Sequence, residues 1–311
     1  MADHHELAIG VDVGGTGIKA ALVNVRTGEL AGERIRVLTP MPAKPGPVVA
    51  SAGRVVARLI RAANAAATAE GRPAPVIQAI GVGFPSVILN GVTRTAANVD
   101  PEWVGFEAQA AFSKAFKRRS WLVNDADAAG VAEMRFGAGH GKRGVVIVLT
   151  LGTGVGSGIF VDGKLVPNTE LGHMEVNGRD AEKRSSANAR TRRGLSWKAW
   201  AEDLDDHLRA IDVLFSPSLL ILGGGVSKKA DRFLPFLKAP SPIVAAELHN
   251  EAGIVGAAMV GLERETEMAR EEADVAERAA EDAASAGAPA AADDAASAGP
   301  PAAAEPGPAG A

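Results

Sequence analysis

A strand-like apolar run that ends in Gly-Thr-Gly occurs twice in this chain, at Gly15-Thr16-Gly17 and again at Gly152-Thr153-Gly154. The two copies resemble each other as far as Leu22 and Ile159, which implies two related half-chains. Each run delivers its turn to the end of a strand, where small residues let backbone N–H groups approach an anion and wrap its oxygens. Two such turns facing one cleft would clamp a chain of phosphates. A third glycine turn, Gly223-Gly224-Gly225, follows the apolar run at 219–222.

The intervening pattern reads as an α/β sheet protein. Residues 7–14 and 18–25 read as buried strands around the first turn, and Thr27-Gly28 leads into a third strand near 35–38. A proline-punctuated loop at 40–47 precedes helical spacing over 48–69 that ends at Gly71. Further apolar runs at 76–83, 121–124 and 145–151 alternate with helix-like or glycine-rich segments, and 160–166 reads as a hairpin with Asp162-Gly163 at its tip. Over 195–214, Trp197, Trp200, Leu204, Leu208 and Ile211 recur at three- and four-residue intervals, so an amphipathic helix with its aromatics in the core is expected. Residues 226–236 read as the helix after the third glycine turn.

Composition narrows the class. The 311 residues are 47% apolar with a mean hydropathy of +0.06, as in a soluble globular protein. No uncharged apolar run reaches the roughly 18 residues of a membrane span, and residues 1–6 are polar, unlike a secretory signal, so a cytoplasmic protein without membrane partners is expected. With no cysteine, disulfides and thiolate metal ligation are excluded. The net charge of −4 is unevenly divided: from Leu262 on there are twelve acidic against three basic residues, which leaves the rest of the chain basic. Beyond Arg270 few side chains exceed alanine in apolar size, and 270–311 is expected to be a disordered acidic tail.

Asp12, in Gly10-Val11-Asp12-Val13-Gly14-Gly15-Thr16-Gly17-Ile18-Lys19, places a carboxylate at a strand tip beside the first phosphate turn, where Mg²⁺ could be held through water. Thr16 and Lys19 could add a hydroxyl and a cation, although Lys19 could equally be an exposed strand residue. Asn124-Asp125-Ala126-Asp127 directly follows a strand, at the end where α/β folds place ligand contacts. Asp125 could take the proton of an attacking alcohol, while one of Asp125 and Asp127 caps the following helix; the order favours Asp125 on the cleft. Glu170-Leu171-Gly172-His173 suits hydroxyl recognition, which needs acceptors and donors in fixed places; the alternative of a metal pair lacks a third nearby ligand.

Together these segments resemble the sugar kinases of the ROK group (repressors, open reading frames and kinases) over roughly residues 7–262, with Asn98 and Trp103 of Ala97-Asn98-Val99-Asp100-Pro101-Glu102-Trp103 as a further shared segment. The resemblance implies an actin-like, hexokinase-like duplicated α/β fold: a small lobe over 1–120 with a helix at about 251–265 packing back on it, and a large lobe over 121–250. It makes Asp125 the general base toward the 6-hydroxyl of glucose, and it assigns Asn98, Asn124, Glu170, His173 and, by its spacing to Ser186, Glu182 to the other hydroxyls. The donor would lie on Asp12, Gly14, Gly15, Thr16, Gly17, Lys19, Gly152, Thr153, Gly154, Gly224 and Gly225, with Mg²⁺ on Asp12. A homodimer is implied as well.

One departure is informative. Most members carry a cysteine-rich zinc loop between the histidine and the later glutamate, whereas here Asn177 to Asp180 spans the gap and no zinc is expected. The following segments, Asp180-Ala181-Glu182 and Leu214-Phe215-Ser216-Pro217 among them, resemble the branch of the family that takes inorganic polyphosphate as donor, with ATP weaker or absent. Arg179, Lys183, Arg184, Arg190, Arg192, Arg193 and Lys198 form a basic strip that either attracts a polyanion or is a solvated helix face; no interleaved aromatics point to nucleic acid. The rivals are an ATP-dependent hexokinase acting on glucose or mannose and a sugar-sensing regulator; the latter would need a DNA-binding module, and only six residues precede Leu7.

Overall fold

A computed structural model describes residues 6–286. β1 (Leu7–Val13) and β2 (Gly17–Asn24) form an antiparallel hairpin, and β3 (Ile35–Leu38) extends it along the far edge of β2. Nearly every residue of β1 is buried, the pattern of a strand covered on both faces. α1 (Pro45–Ala69) starts three residues before its apolar spacing does, with Pro45 at its first turn, where the missing N–H is no loss. β4 (Ile77–Phe84) then returns parallel to β1. After the small hairpin of β5 (Ile88–Leu89) and β6 (Val92–Thr93) and the helix α2 (Ala108–Phe116), β7 (Trp121–Asn124) pairs parallel with β4. The sheet order is β3-β2-β1-β4-β7. A boundary at residue 121 would give β7 to the second half, but its hydrogen bonds belong to this first sheet. Trp103, fully buried, packs on Phe84 and Phe112 and donates its indole N–H to the Ala43 carbonyl at 2.8 Å.

α3 (Asp125–Phe136) leads from β7 to the second sheet, which repeats the first. β8 (Val145–Leu151), β9 (Val155–Val161) and β10 (Lys164–Val166) form an antiparallel meander. The chain then passes through the hairpin β11 (Glu175–Val176) and β12 (Arg179–Asp180) and the helices α4 (Glu182–Ser185), α5 (Ala187–Arg192) and α6 (Trp197–Phe215). β13 (Leu219–Gly223) runs parallel to β8 and β14 (Ile243–Ala245) parallel to β13, giving the order β10-β9-β8-β13-β14. Three antiparallel strands followed by two parallel ones, in the same order twice, are the duplication that the repeated turn implies.

α6 buries Trp200, Leu204, Leu208 and Ile211 against the second sheet, with Ser196 capping its first turn. The segment 226–236 departs from expectation. It forms two short 3-10 turns, Ser227–Arg232 and Leu234–Phe236, because the backbone leaves helical geometry at Lys229 (φ −125°) and again at Phe233 (φ −132°), with Pro235 in the first turn of the second piece, where its missing N–H is no loss.

α7 (Ala252–Ala286) begins where a helix packing back on the first sheet is expected. Its opening turns lie against β1, β4 and α3 so closely that glycines are needed on both sides. A Cβ at Gly10 would stand 1.9 Å from the Ile254 carbonyl oxygen, at Gly81 1.7 Å from that of Ala257, and at Gly256 1.6 Å from that of Ala128. The helix also runs through residues 270–286, for which the sequence predicts disorder. Alanine, glutamate and arginine are strong helix formers, so intrinsic propensity holds this stretch where burial does not. The rest of the expected tail, 287–311, lies outside the described residues.

Candidate active site

Between the two sheets lies a cavity of about 640 Å³. All three glycine turns reach its wall, as do Asp12, Asn98, Asp125, Glu170, His173 and Glu182. Of the residues assigned to sugar or donor in the sequence, Gly17 alone is not on this wall: it is buried in β2, and its carbonyl accepts the Gly14 N–H at 3.0 Å, closing the first turn from behind.

The first turn sits against the segment that carries Asn98, where a Cβ at Gly15 would come 2.8 Å from the Asn98 carbonyl oxygen. Asp12 and Lys19 are cross-strand partners in the β1–β2 register and form an ion pair at 2.6 Å, so Lys19 is a cavity residue and not a solvated strand residue. The second turn is closed by the Gly152 N–H on the Gly154 carbonyl and tied to α5 by the Asn188 N–H on the Gly152 carbonyl. In the third, Gly224 takes φ +82°, with Leu151 O within 2.4 Å of where a Cβ would stand, and both reasons favour glycine.

At the end of β7 the helix cap is Asn124, not either aspartate. Its Oδ1 accepts the N–H groups of Ala126 and Asp127, and its Nδ2 donates to the Ser86 carbonyl at 3.1 Å. Asn124 thus fixes the helix start that carries Asp125 while also reaching the cavity wall. Asp125 faces the cavity while Asp127 is buried, its Oδ2 accepting the Asn168 N–H at 2.7 Å. Burial, with the Asp12 carboxylate adding to it, pushes Asp125 up to about 6, and its bond from the Ala126 N–H works against the rise. Burial pushes Asp127 to about 7.

Across the cavity, Glu170 is raised chiefly by burial, and His173 is raised chiefly by its hydrogen bond to Asp180. Glu182 accepts the Val155 N–H at 3.2 Å, which attaches it to the second glycine turn. The fold brings Asp180 and Glu182 to His173, with ligand atoms all within 4.8 Å of one another, a grouping that spacing along the chain does not reveal. His249 and Asn250, which carry no motif, also reach the wall from the loop before α7.

The basic strip is partly consumed by structure. Arg184 and Arg193 both pair with Asp203, and the Arg190 guanidinium stacks over the Trp197 ring at 3.8 Å, while Arg179, Lys183, Arg192 and Lys198 are exposed.

Carboxylates at the ends of β1 and β7, on either side of β4, three glycine turns and a polar wall opposite form a pocket for a phosphate chain and a polyhydroxyl ligand. The oxygen donors around Asp12 suit a hard cation such as Mg²⁺, and a cation there would relieve the repulsion between Asp12 and Asp125.

The sequence matches the ROK family over residues 8–189. It is 44% identical to the polyphosphate glucokinase of Mycobacterium leprae (strain TN), over 80% of this chain and 73% of that protein. It is 42% identical to the polyphosphate glucokinase of Mycobacterium tuberculosis (strain ATCC 25618 / H37Rv), over 81% and 90%. Among solved structures it is similar to the inorganic polyphosphate/ATP-glucomannokinase of Arthrobacter sp. strain KM, with a TM-score of 0.74 and 48% identity over 82% of this chain and 98% of that one. A ROK family glucokinase from Streptomyces griseus, solved with glucose and AMPPNP, aligns with a TM-score of 0.63 and 25% identity over 82% and 99%.

Proposed function

Because the chain belongs to the ROK family, with the duplicated actin-like fold of its sugar kinases, we infer that it transfers a phosphoryl group from inorganic polyphosphate to the 6-hydroxyl of glucose. The observation that carries this is the convergence of matching glycine turns from the two sheets on one cavity that also holds Asp125.

On this reading the glucose O6 attacks the terminal phosphorus of the donor, the bond from that phosphorus to its bridging oxygen breaks, and the O6 proton passes to an Asp125 carboxylate oxygen. The donor leaves one phosphate shorter. Gly14, Gly15, Thr16, Gly152, Thr153, Gly154, Gly224 and Gly225 line the donor path, the Gly14 and Gly152 N–H groups closing the first two turns and the other backbone N–H groups meeting the phosphates, and Lys19 adds a cation held by Asp12. Gly17 supports the first turn from inside. Mg²⁺, held by Asp12 through water, supplies charge neutralisation on the phosphate oxygens when bound. Asn98, Glu170, His173 and Glu182 fix the remaining sugar hydroxyls, and Asn124 holds the helix start beneath Asp125. Such catalysis is mostly positioning and electrostatics, which a wall of fixed dipoles supplies. A homodimer in the cytoplasm completes the reading; among the described residues no helix is long and apolar enough to cross a membrane.

Parallel assays of the purified protein with polyphosphate and with ATP, each with glucose and with mannose, test the proposal. Glucose 6-phosphate formed from polyphosphate is the expected product, and a protein that turns over ATP alone would make it an ATP-dependent hexokinase instead.

The site also dictates a pH response. A base accepts a proton only when ionised, so kcat/KM should fall as pH drops through about 6, the value to which Asp125 is raised in the unliganded chain, with a limiting slope of one proton. A kcat/KM profile from about pH 4 to 8 checks this. An acid limb near the ordinary aspartate value would remove Asp125 from the role.

A further inference from the structure

The His173 ring lies between the cavity and Asp180, the last residue of the short segment that stands where other members carry a zinc loop. Its Nδ1 is 3.1 Å from Asp180 Oδ2, and the other Asp180 oxygen accepts the Glu182 backbone N–H at 3.2 Å. The β11–β12 hairpin brings them together, pairing Glu175 with Asp180 and Val176 with Arg179 around Asn177 and Gly178, which take φ of +53° and +72°. Two successive positive φ values in an Asn-Gly turn are the geometry of a tight hairpin, so the turn fixes where Asp180 falls. The Glu182 carboxylate is in turn bonded to the Val155 N–H beside the second glycine turn. One carboxylate thus links the ring, the first residue of α4 and, through Glu182, the donor side of the cavity.

We propose that Asp180 is a positioning residue for the sugar site: it holds His173 with the proton on Nδ1, so that Nε2 meets a sugar hydroxyl as an acceptor, and it fixes the helix start that carries Glu182. The proposal rests on the sugar-kinase reading above and deepens it. A carboxylate on one ring nitrogen selects the tautomer and sets the ring plane, as it does behind many histidines that act through their other nitrogen. Among the described residues the second nitrogen has no bonded partner, and the ring forms part of the cavity wall. Every charged group facing the ring is a carboxylate: Asp180, Glu182 and Glu170 all favour its protonated form, opposed by burial. Asp180 therefore also sets the pH below which Nε2 turns from acceptor to donor.

Asp180→Asn separates the parts, because its amide oxygen still accepts the Glu182 N–H while the charge facing Nδ1 is lost; Asp180→Ala removes both. Long-range ¹H–¹⁵N spectra of the sugar-free full chain, with His173→Gln to assign the signal, should show the Nδ1–H form in the wild type and a shift toward the Nε2–H form in Asp180→Asn. The outer hydrogen-bond partners of metal-ligating histidines are worth about 10- to 100-fold, and the lower end of that scale is expected for a histidine that meets only a hydroxyl. Glucose KM with polyphosphate should accordingly rise about tenfold in Asp180→Asn with kcat within about threefold, and Asp180→Glu should recover part of the loss. The limb of the kcat/KM profile that belongs to His173 should move to lower pH.

An unchanged tautomer with an unchanged glucose KM would overturn the assignment. So would one zinc ion bound per wild-type chain and lost in Asp180→Asn, since the group would then be a metal site. If the variants fail to fold, the ring nitrogen shifts of the wild type alone decide: an Nε2–H ring contradicts the proposal. A wild type that forms no sugar phosphate from polyphosphate sinks the sugar-kinase reading instead, and the spectra report on Asp180 independently of it.

Discussion

Asp125→Asn is expected to reduce glucose phosphorylation by about 10³-fold or more while glucose still binds within a few-fold of the wild-type affinity. General base catalysis is worth about 10² to 10⁴-fold, and the amide keeps the size of the carboxylate but cannot take the proton. The substitution also removes a charge that both burial and Asp12 oppose, so the folded state should not suffer. Rates with polyphosphate, glucose titrations followed by intrinsic fluorescence and urea midpoints together separate chemistry from binding and folding. Retention of more than about a tenth of the wild-type kcat would assign the proton to another group. Loss of sugar binding and activity together would make Asp125 a ligand-holding residue first.

The second large effect is structural. Gly81→Ala should lower stability by more than about 3 kcal/mol, because the added Cβ would stand 1.7 Å from the Ala257 carbonyl oxygen, and that neighbour is helix backbone that cannot swing aside. The facing residue is no help: Gly261 is already glycine, and a Cβ there would come 2.7 Å from the Gly81 nitrogen. Gly46→Ala is the matched control. It lies in the first turn of α1 with nothing beyond its own helix and chain neighbours within 4 Å of the new atom, and because Pro47 disfavours helical backbone in a preceding residue that has a Cβ, it should cost up to about 1 kcal/mol, well short of Gly81→Ala. Urea midpoints of the two variants compare the seam with open helix; equal midpoints would mean that α7 does not seat on β4 as described.

These two cases mark what the sequence makes legible. The duplicated sheets follow from local pattern, since each half repeats an apolar run, a Gly-Thr-Gly turn and a second apolar run, and the cavity residues fall at strand ends where α/β proteins gather ligands. Pairings between distant segments leave no such trace. The glycines of the α7 seam look in sequence like any glycine in a strand or helix, and only the approach of two backbones gives them their reason. Asp180 meets His173 because a hairpin of two-residue strands folds on itself, too short to show alternation. At the end of β7 the sequence offers Asp125 and Asp127 as caps, and the Asn124 amide takes the place instead because its Oδ1 reaches two N–H groups at once. The helix beyond Arg270 is missed for the opposite reason, since weighing burial alone neglects what alanine-rich backbone does by itself.

The seating of α7 has a consequence for synthesis on the ribosome. Ala8, Ala21, Val23 and Ala79, on one face of the first sheet, are buried with Ala252, Ile254, Val255 and Ala258, so these strands await a partner translated only after the whole second sheet. Until that partner emerges, the nascent chain carries an uncovered apolar face while the second sheet is made. Contacts so far apart in sequence are slow to form, and exposed apolar surface in the interim favours aggregation. The second sheet, whose strands and covering helix lie closer together in the chain, can complete first, which makes the amino-terminal sheet the later of the two to mature.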